Sequence, residues 1–282
     1  IDLGVDLIDN NDFGLSGSVN WSTNENEVTD LYGTESINLS PGASVSSRAV
    51  VGYPLGVLYG TGSKTNADGS FDLNSNGFPQ ITSSPMVLGD PNPDWRGGIS
   101  LNMRYKKFRL NAVLEHSQGG EFSPRTLWVL RRFGTTQETA NRLTLDQSLV
   151  NYRGTTVPAG TTVRGNIEDF GGGPVLLDEN WYRTGIGGGF GDNQAYNFSI
   201  ADATWTKLRD LSLSYVLDTP VIKNIGLNDV ILTFTGRDLI NINNVDGIDP
   251  EINTKGVSVA QGVEYFTNPQ TKGFLFSLTI NY

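Results

Sequence analysis

Residues 272–282 read KGFLFSLTINY and alternate between two kinds of side chain. Large apolar or aromatic residues take every second position, and mostly small or polar residues take the positions between. Successive side chains of a β-strand point to opposite faces, so this alternation predicts a strand with one strongly apolar face. The apolar row consists of Phe274, Phe276, Leu278, Ile280 and Tyr282.

The same period returns near the start of the chain. Residues 13–22, FGLSGSVNWS, place aromatic and aliphatic residues on one face and only Gly, Ser and Asn on the other. The outward face of a strand in a soluble β-sandwich usually carries charged residues. Small uncharged groups are typical instead of the water-filled lumen of a membrane barrel. This segment therefore predicts a strand of a barrel wall.

Residues 95–105 and 108–116 predict a hairpin with a tight link at Lys106 and Lys107. Aromatic residues stand at both ends of the first apolar row, where Trp and Tyr would form interfacial girdles. His116 continues the outward row of the second strand, and this position favours an interfacial role over a catalytic one.

Further strands are predicted at residues 44–59, 211–217 and 230–236, and we expect roughly eight to ten strands in all. Residues 119–201 have the Gly and Pro content of loops, and residues 136–150 predict a short helix within them. Long connections on one rim and short ones on the other are typical of outer-membrane barrels. We therefore predict an all-β, antiparallel transmembrane β-barrel section with long extracellular loops.

Composition limits the other classes of function. The net charge of -10 disfavours a nucleic-acid surface, and the absence of Cys excludes disulfides and thiolate metal sites. No run of about 18 apolar residues is present, so no membrane-spanning helix is expected. The opening IDLGVDLIDN has no features of a signal peptide, so we expect any export signal to lie outside this sequence and the chain to be the later part of a longer protein.

Enzymatic chemistry is not expected. A Ser-His-Asp triad would have His116 as its one possible base, and a Cys nucleophile is absent. The Gly-rich stretch GIGGGFG, residues 185–191, lacks the GK[ST] of a phosphate-binding loop and favours a surface loop. No cofactor is expected.

Two acidic or amide-rich stretches leave alternatives open. In DLNSNG, residues 72–77, the side chains of Asp72, Asn74 and Asn76 have the spacing that starts a calcium loop, but the twelfth position is Ser83. We therefore expect no metal, with these three residues as weak candidates against a plain turn. The stretch DGIDPE, residues 246–251, suits either a rim loop that touches substrate or a structural turn.

Five segments together resemble the SusC/RagA-type TonB-dependent outer-membrane transporters of the Bacteroidota. They occur in the same order as in that family. They are VGYPLGVLYG (51–60), LGDPNPDWRGGIS (88–100), DATWTKLRDLSLSYVL (202–217), TFTGRDLININNVDGIDPEIN (233–253) and VEYFTNPQTKGFLFSLTINY (263–282).

The resemblance implies a barrel of about 22 strands with a plug domain inside it. It also implies import of glycans, oligosaccharides or peptides, a SusD-like surface lipoprotein as lid, and energy supplied through TonB. Residues 1–282 resemble only the C-terminal part of the barrel. The plug, the TonB-contacting segment and the first barrel strands have no counterpart here, so we expect TonB to act through the absent N-terminal part.

The resemblance gives two groups of residues a role. The apolar row that ends at Tyr282 resembles the insertion signal that the barrel assembly machinery reads before the barrel enters outer-membrane lipid. Charged residues on the lumen side are candidates for anchoring the plug, although ion pairs within the wall explain them equally well. These plug candidates are Arg96, Arg104, Arg109, Glu115 and Arg237.

The competing interpretation is a soluble or surface-exposed all-β carbohydrate-binding module whose aromatic residues stack on sugar. Such a module would bury its apolar rows in a closed core. A barrel wall would leave them exposed to lipid.

Overall fold

The computed structural model describes residues 1–40, 44–184, 187, 194–256 and 260–282. The strands are β1 (Asp2–Asp9), β2 (Phe13–Ser22), β3 (Ser36–Ser40), β4 (Ser46–Val50), β5 (Val57–Gly60), β6 (Met86–Gly89), β7 (Trp95–Tyr105), β8 (Phe108–Gln118), β9 (Glu121–Pro124), β10 (Arg142–Thr144), β11 (Leu149–Val150), β12 (Thr156–Val157), β13 (Thr162–Arg164), β14 (Asn166–Asp169), β15 (Pro174–Leu177), β16 (Ala201–Asp202), β17 (Trp205–Leu217), β18 (Asp229–Asn243), β19 (Val263–Glu264) and β20 (Gly273–Asn281). The helices are α1 (Arg125–Arg132), α2 (Gln137–Ala140), α3 (Glu179–Thr184) and α4 (Pro220–Asn224).

Seven long strands form one antiparallel sheet in the order β1-β2-β7-β8-β17-β18-β20. The predicted all-β, antiparallel fold is thereby confirmed. In the described residues β1 and β20 stand at opposite edges, each paired on one side, so these strands do not close into a barrel. The helices of the described ranges are all too short or too polar to cross a membrane.

Connections of two very different lengths join the strands of this sheet. At one end, the short-turn rim, the links are 10–12, 106–107 and 218–228. At the other end, the long-loop rim, the links are 23–94, 119–204 and 244–272.

The tightest link confirms the predicted hairpin. Tyr105 pairs with Phe108 across a two-residue turn, and Lys106 has φ 54°, the left-handed conformation that such turns require.

One face of the sheet is apolar across its whole width. Registers align Leu15 with Met103, Leu110, Leu213, Phe234 and Phe276 in one continuous row. These rows face outward without cover: Val19, Ile99 and Leu213 are each about half exposed, and Phe276 is 68% exposed. Of the buried hydrophobic residues in the described ranges, only Trp205 and Val230 belong to this sheet.

The opposite face is polar. Ser16 aligns with Asn102, and that row continues through Asn111, Ser212 and Thr235. Asn111 donates to the side-chain oxygen of Asn102 at 2.6 Å, so neighbouring strands are also joined by hydrogen bonds between their polar side chains. The two faces separate as the alternation of the sequence predicts.

The packed cores lie in the connections of the long-loop rim. The largest is aromatic: the Phe78 and Trp181 rings lie 5.5 Å apart, and Phe170 and Phe198 each approach Trp181 to within 5.7 Å. Aromatic contacts of this kind add to the area that they bury. The described parts of the long connections therefore form a folded region of their own, which we call the cap region.

Two predictions about strands need correction. The main sheet has seven strands, fewer than the predicted eight to ten. Residues 44–59 lie instead in β4 and β5 of a separate four-stranded sheet, β3-β4-β5-β6, and β1, which was not predicted, joins the main sheet. The 119–201 region also contains α1 and several strands of two to four residues. Strands this short give no readable alternation among Gly and Pro.

The short helix predicted within residues 136–150 is confirmed as α2. The Thr136 side chain accepts a hydrogen bond from the backbone N–H of Thr139 at 3.3 Å, which caps the helix.

Candidate functional site on the polar face

A fully buried lysine lies where the polar face meets the long-loop rim. Lys207 of β17 stands between Glu115 and Asn241 in the register and is 0% exposed. Its Nζ donates to Asp249 Oδ2 at 2.6 Å and to Glu251 Oε2 at 2.6 Å. A buried ammonium group is costly unless it is paired, so these contacts hold the connection against the wall.

Gln270 completes the surroundings of the Lys207 ammonium group, since its Oε1 accepts a hydrogen bond from Nζ at 2.8 Å. Residues 249, 251 and 270 all belong to the connection between β18 and β20. We call the described part of this connection, residues 244–256 and 260–272, the strap. The strap lies across the polar face of β17 and β18.

Arg209 extends this ion-pair network along the sheet. Where β17 pairs with β8, the register shifts between Leu208 and Asp210, so Arg209 is the extra residue of a β-bulge on that side. Its Nε donates to Glu115 Oε2 at 2.6 Å, and its Nη2 contacts Glu251 Oε1. Glu251 thus bridges the two cations of β17.

Trp205 packs beneath the same two cations. Lys207 Nζ lies 5.0 Å from the Trp205 ring centre, and the Arg209 guanidinium lies 4.9 Å from it. The indole is 7% exposed. Attraction between cations and the ring face adds to the ion pairs and orients both side chains.

Glu251 titrates abnormally because of these neighbours. Burial acts to raise the pKa of Glu251, but hydrogen bonds from Arg209 and Lys207 outweigh it and lower the pKa below its ordinary value. The carboxylate is therefore charged at neutral pH and able to hold both cations.

The strap is fixed a second time through α1. The Glu264 carboxylate, on a residue that is 2% exposed, accepts hydrogen bonds from the Thr126 backbone N–H at 3.2 Å and from the Thr126 hydroxyl at 2.7 Å. It also accepts from the Thr267 backbone N–H at 3.2 Å. A carboxylate at the first turn of a helix satisfies free N–H groups and opposes the helix dipole.

A cleft of about 450 Å³ lies between α1, the end of β18 and the strap. Its polar lining includes Asn241, Asn243, Asn268 and Gln270, and its apolar lining includes Leu130 and Ile252. The cleft opens on the same polar face as the ion-pair network.

The structure places the five candidate plug contacts in different surroundings. Arg104 pairs with Asp9 at 2.9 Å, Glu115 pairs with Arg209, and Arg237 lies 3.8 Å from Asp210.

Arg96 and Arg109 are exposed, and in the described part of the chain neither has an ion-pair partner. Arg109 lines a groove of about 450 Å³ together with Asp6 and Asp9. All five candidates lie on the polar face, and their contact with a plug stays a prediction.

The candidate insertion row lies along β20 at the edge of the sheet. Phe276 pairs with Phe234, and Phe274 stacks on the Phe234 ring at 6.0 Å. The row Phe274, Phe276, Leu278, Ile280 and Tyr282 is exposed throughout. Its role as an insertion signal stays a prediction.

The calcium-like stretch forms a turn. Asn74 Oδ1 accepts hydrogen bonds from the backbone N–H groups of Asn76 and Phe78, and Asp72 Oδ1 accepts from Gln80 at 2.9 Å. Within the described residues, no group of three or more His, Cys, Asp or Glu is arranged to hold a metal ion.

Other predicted features have clear positions. The His116 ring packs on Trp95 at 4.8 Å and forms a 2.8 Å hydrogen bond with Thr206 Oγ1. The acidic stretch 246–251 supplies Asp249 and Glu251 to the ion-pair network, which supports its structural interpretation. The Gly-rich stretch 185–191 lies outside the described residues, apart from Gly187.

Lys207 and Arg209 were not among the predicted site residues. Alternation alone would have misplaced them, because Trp205, Lys207 and Arg209 share the parity of Leu211 and Leu213, which lie on the apolar face. The bulge at Arg209 shifts the register and places Lys207 opposite Glu115 on the polar face. No local signal in the sequence therefore identifies these residues.

Comparison with known proteins supports the resemblance. No protein-family model matches the chain. Over 305 aligned residues, which cover 98% of the chain, it is 24% identical to the TonB-dependent receptor P3 of Formosa agariphila. The chain spans about a quarter of that receptor, 27% of its length.

Solved structures show a matching fold. The RagAB peptide importer in its "open-open" and "closed-closed" states aligns with all of the chain, with TM-scores of 0.62 and 0.61 and identities of 16% and 18%. The chain covers 28% and 29% of those importer chains. These similarities confirm the resemblance to SusC/RagA-type TonB-dependent transporters, for part of such a protein.

Proposed function

We propose that residues 1–282 form the C-terminal part of the barrel wall and extracellular loops of a TonB-dependent importer in the outer membrane. The plug domain and the remaining barrel strands belong to parts of the protein outside this chain. The chain performs no bond chemistry. It supplies a surface for lipid, a surface for the lumen and a cap region at the cell exterior.

One observation carries this proposal: the seven-stranded sheet exposes its apolar face and makes its ion pairs on the other. A soluble protein rarely exposes an apolar surface of this extent. A barrel wall needs an outer apolar band against hydrocarbon and a polar interior. The same observation disfavours the carbohydrate-binding module, whose apolar rows would meet inside a core.

The polar face suits a plug domain. Arg109 and Arg96 project from it without ion-pair partners among the described residues, while Arg104, Glu115 and Arg237 have partners in the wall. We assign the first two to charge-assisted hydrogen bonds with the plug. The other three hold neighbouring parts of the wall together.

The remaining partners follow from the two rims and the apolar face. The cap region at the long-loop rim faces the exterior, where a SusD-like surface lipoprotein closes over it. TonB acts from the other side through the N-terminal part. The barrel assembly machinery reads the apolar row of β20, and outer-membrane lipid covers that row afterwards.

The proposed cargo is a glycan, an oligosaccharide or a peptide. The RagAB structures are those of a peptide importer, whereas the name TonB-dependent receptor P3 specifies no substrate. An uptake assay with labelled compounds has to distinguish peptides from glycans and oligosaccharides.

The test uses the full-length protein in its own cell. We expect it in the outer-membrane fraction, soluble only with detergent, and co-purifying with a surface lipoprotein. Deletion of its gene, or of TonB, should abolish uptake of one class among labelled peptides and labelled oligosaccharides. A full-length protein that dissolves without detergent, or uptake that continues without TonB, contradicts the proposal.

A further inference from the structure

The cleft beside the strap has walls that are held firmly in place. Lys207 fixes the strap to β17 through residues 249 and 251, and Glu264 fixes it to α1. The cleft lies between these two attachments. A loop tied at both ends keeps its geometry, which a binding surface needs.

The charged groups of the cleft are already satisfied. Asp249 accepts two hydrogen bonds from Lys207, at 2.8 and 2.6 Å, and a third from the Glu251 backbone N–H. Glu264 is occupied by Thr126 and Thr267. A charged ligand therefore finds no unpaired counter-ion among the described residues that line this cleft.

Uncharged amides remain available. Asn241 and Asn268 are exposed. Asn241 Oδ1 accepts one hydrogen bond, from Asn243 at 3.2 Å, and the Asn268 side chain makes none with the described residues. An amide side chain offers both donors and acceptors, as a peptide main chain does.

The apolar part of the cleft narrows the ligand further. Leu130, Ile248 and Ile252 contribute aliphatic surface, and the described lining contains no aromatic ring. Aliphatic surface without a ring for stacking favours an apolar amino-acid side chain over the face of a sugar.

We propose that the cleft between α1 and the strap binds an uncharged peptide segment, with Asn241 and Asn268 bonding its main chain and Leu130 and Ile252 contacting an apolar side chain. This inference rests on the proposed function, because it places the contact inside the mouth of the importer. It assigns a binding role to residues of this chain, beyond wall and loops.

Two measurements on the purified full-length receptor in detergent test the site. Acetyl-Ala-Leu-Ala-Leu-amide is the probe, and its affinity is measured by calorimetry for the unaltered protein and for the Asn241→Leu/Asn268→Leu variant. Loss of two hydrogen bonds should weaken binding about ten-fold. Asn20→Leu, on the same polar face but outside the cleft, is the matched control and should bind as before.

The second measurement locates the peptide. Residues 1–282 contain no cysteine. In full-length receptor from which any other cysteine has been removed, Asn268→Cys introduces a thiol at the cleft, and the peptide should slow its labelling by maleimide. The same peptide with Asp or Lys in place of Leu, and maltotetraose, should protect it less.

The outcomes separate this inference from the proposed function. Equal affinity in the double Leu variant, or stronger protection by maltotetraose than by the neutral peptide, overturns the inference. Because binding is measured on purified protein, a receptor that fails to import can still confirm the cleft, and an importer can still fail this test.

Discussion

At the scale of single residues, the ammonium group of Lys207 is fully buried, and its burial costs free energy that its partners must offset. Breaking a buried ion pair by removing one partner generally costs about 3–5 kcal/mol, because a charge stays behind without compensation. Here two carboxylates, an amide oxygen and an indole surround one cation. Their main effect is to fix where the strap lies, since other arrangements leave Lys207 unpaired.

Acidification should release part of this network. The folded-state pKa of Glu251 lies below its ordinary value of 4.5, so the carboxylate stabilises the strap fully above pH 4.5. That contribution is lost as the pH falls through the lower, folded-state pKa. We expect acrylamide to quench Trp205 fluorescence more strongly below pH 4.5 than at pH 7.

The control for this titration is Glu251→Gln, which lacks the charge at every pH. The contribution of Trp205 to the quenching is the difference between proteins with and without the Trp205→Phe substitution. In Glu251→Gln this contribution should be as strong at pH 7 as it is below pH 4.5 in the unaltered protein. A transition centred above pH 5, or an unchanged transition in Glu251→Gln, contradicts the assignment.

At the scale of elements, each long strand has one apolar and one polar face. On β20, Phe276 aligns with Phe234 on the apolar face, and Ser277 aligns with Thr233 on the polar face. Neighbouring positions of one strand therefore allow a matched comparison that keeps strand propensity and position nearly constant.

We predict that Phe276→Arg blocks assembly and Ser277→Arg does not. Arginine on the lipid face near the bilayer midplane costs about 2–4 kcal/mol, whereas a lumen position keeps it hydrated. The measurement is the amount of heat-modifiable full-length protein in the outer membrane. Equal yields of the two variants would show that β20 does not face lipid as proposed.

At the scale of the whole molecule, seven strands form an open sheet with two edges. The outer N–H and C=O groups of β1 and β20 have no strand partner within the described residues. In hydrocarbon each unsatisfied backbone group costs several kcal/mol, so a spanning sheet has to close. Further strands must cover both edges before this wall enters a membrane.

The 282-residue chain expressed alone should therefore fail to insert. We expect it in aggregates, without heat-modifiable migration and without protease protection in vesicles, whereas the full-length protein shows both. Insertion of the isolated chain as a protected, heat-modifiable species would indicate that these strands close among themselves or by association of several copies.

Prediction from the sequence succeeded where structure depends on neighbouring residues. The alternation in 13–22, 95–105 and 272–282 gave the strands and their faces, because a strand's side-chain period of two is a local property of the backbone. It failed for residues 44–59. Their alternation is also good, but β4 and β5 pair with each other and with β3 and β6 in the cap region.

The candidate site was less accessible than the fold. Lys207 contacts Asp249 across 42 residues of chain and Gln270 across 63, and Glu264 reaches Thr126 across 138. No local pattern encodes such pairings. They depend on the bulge at Arg209, which turns a cation toward Glu115 and Glu251.

The sequence by itself determined that this chain forms long antiparallel strands with one apolar and one polar face. Five segments in the order found in the family indicated the kind of transporter. Tertiary structure alone decided which strands share the main sheet, that the cap region has its own aromatic core, and that the strap lies on the polar face. The physical reason is the distance along the sequence over which each feature is determined. Side-chain alternation depends only on neighbouring residues. The pairing of a buried charge is set by whatever distant segment the fold brings to it.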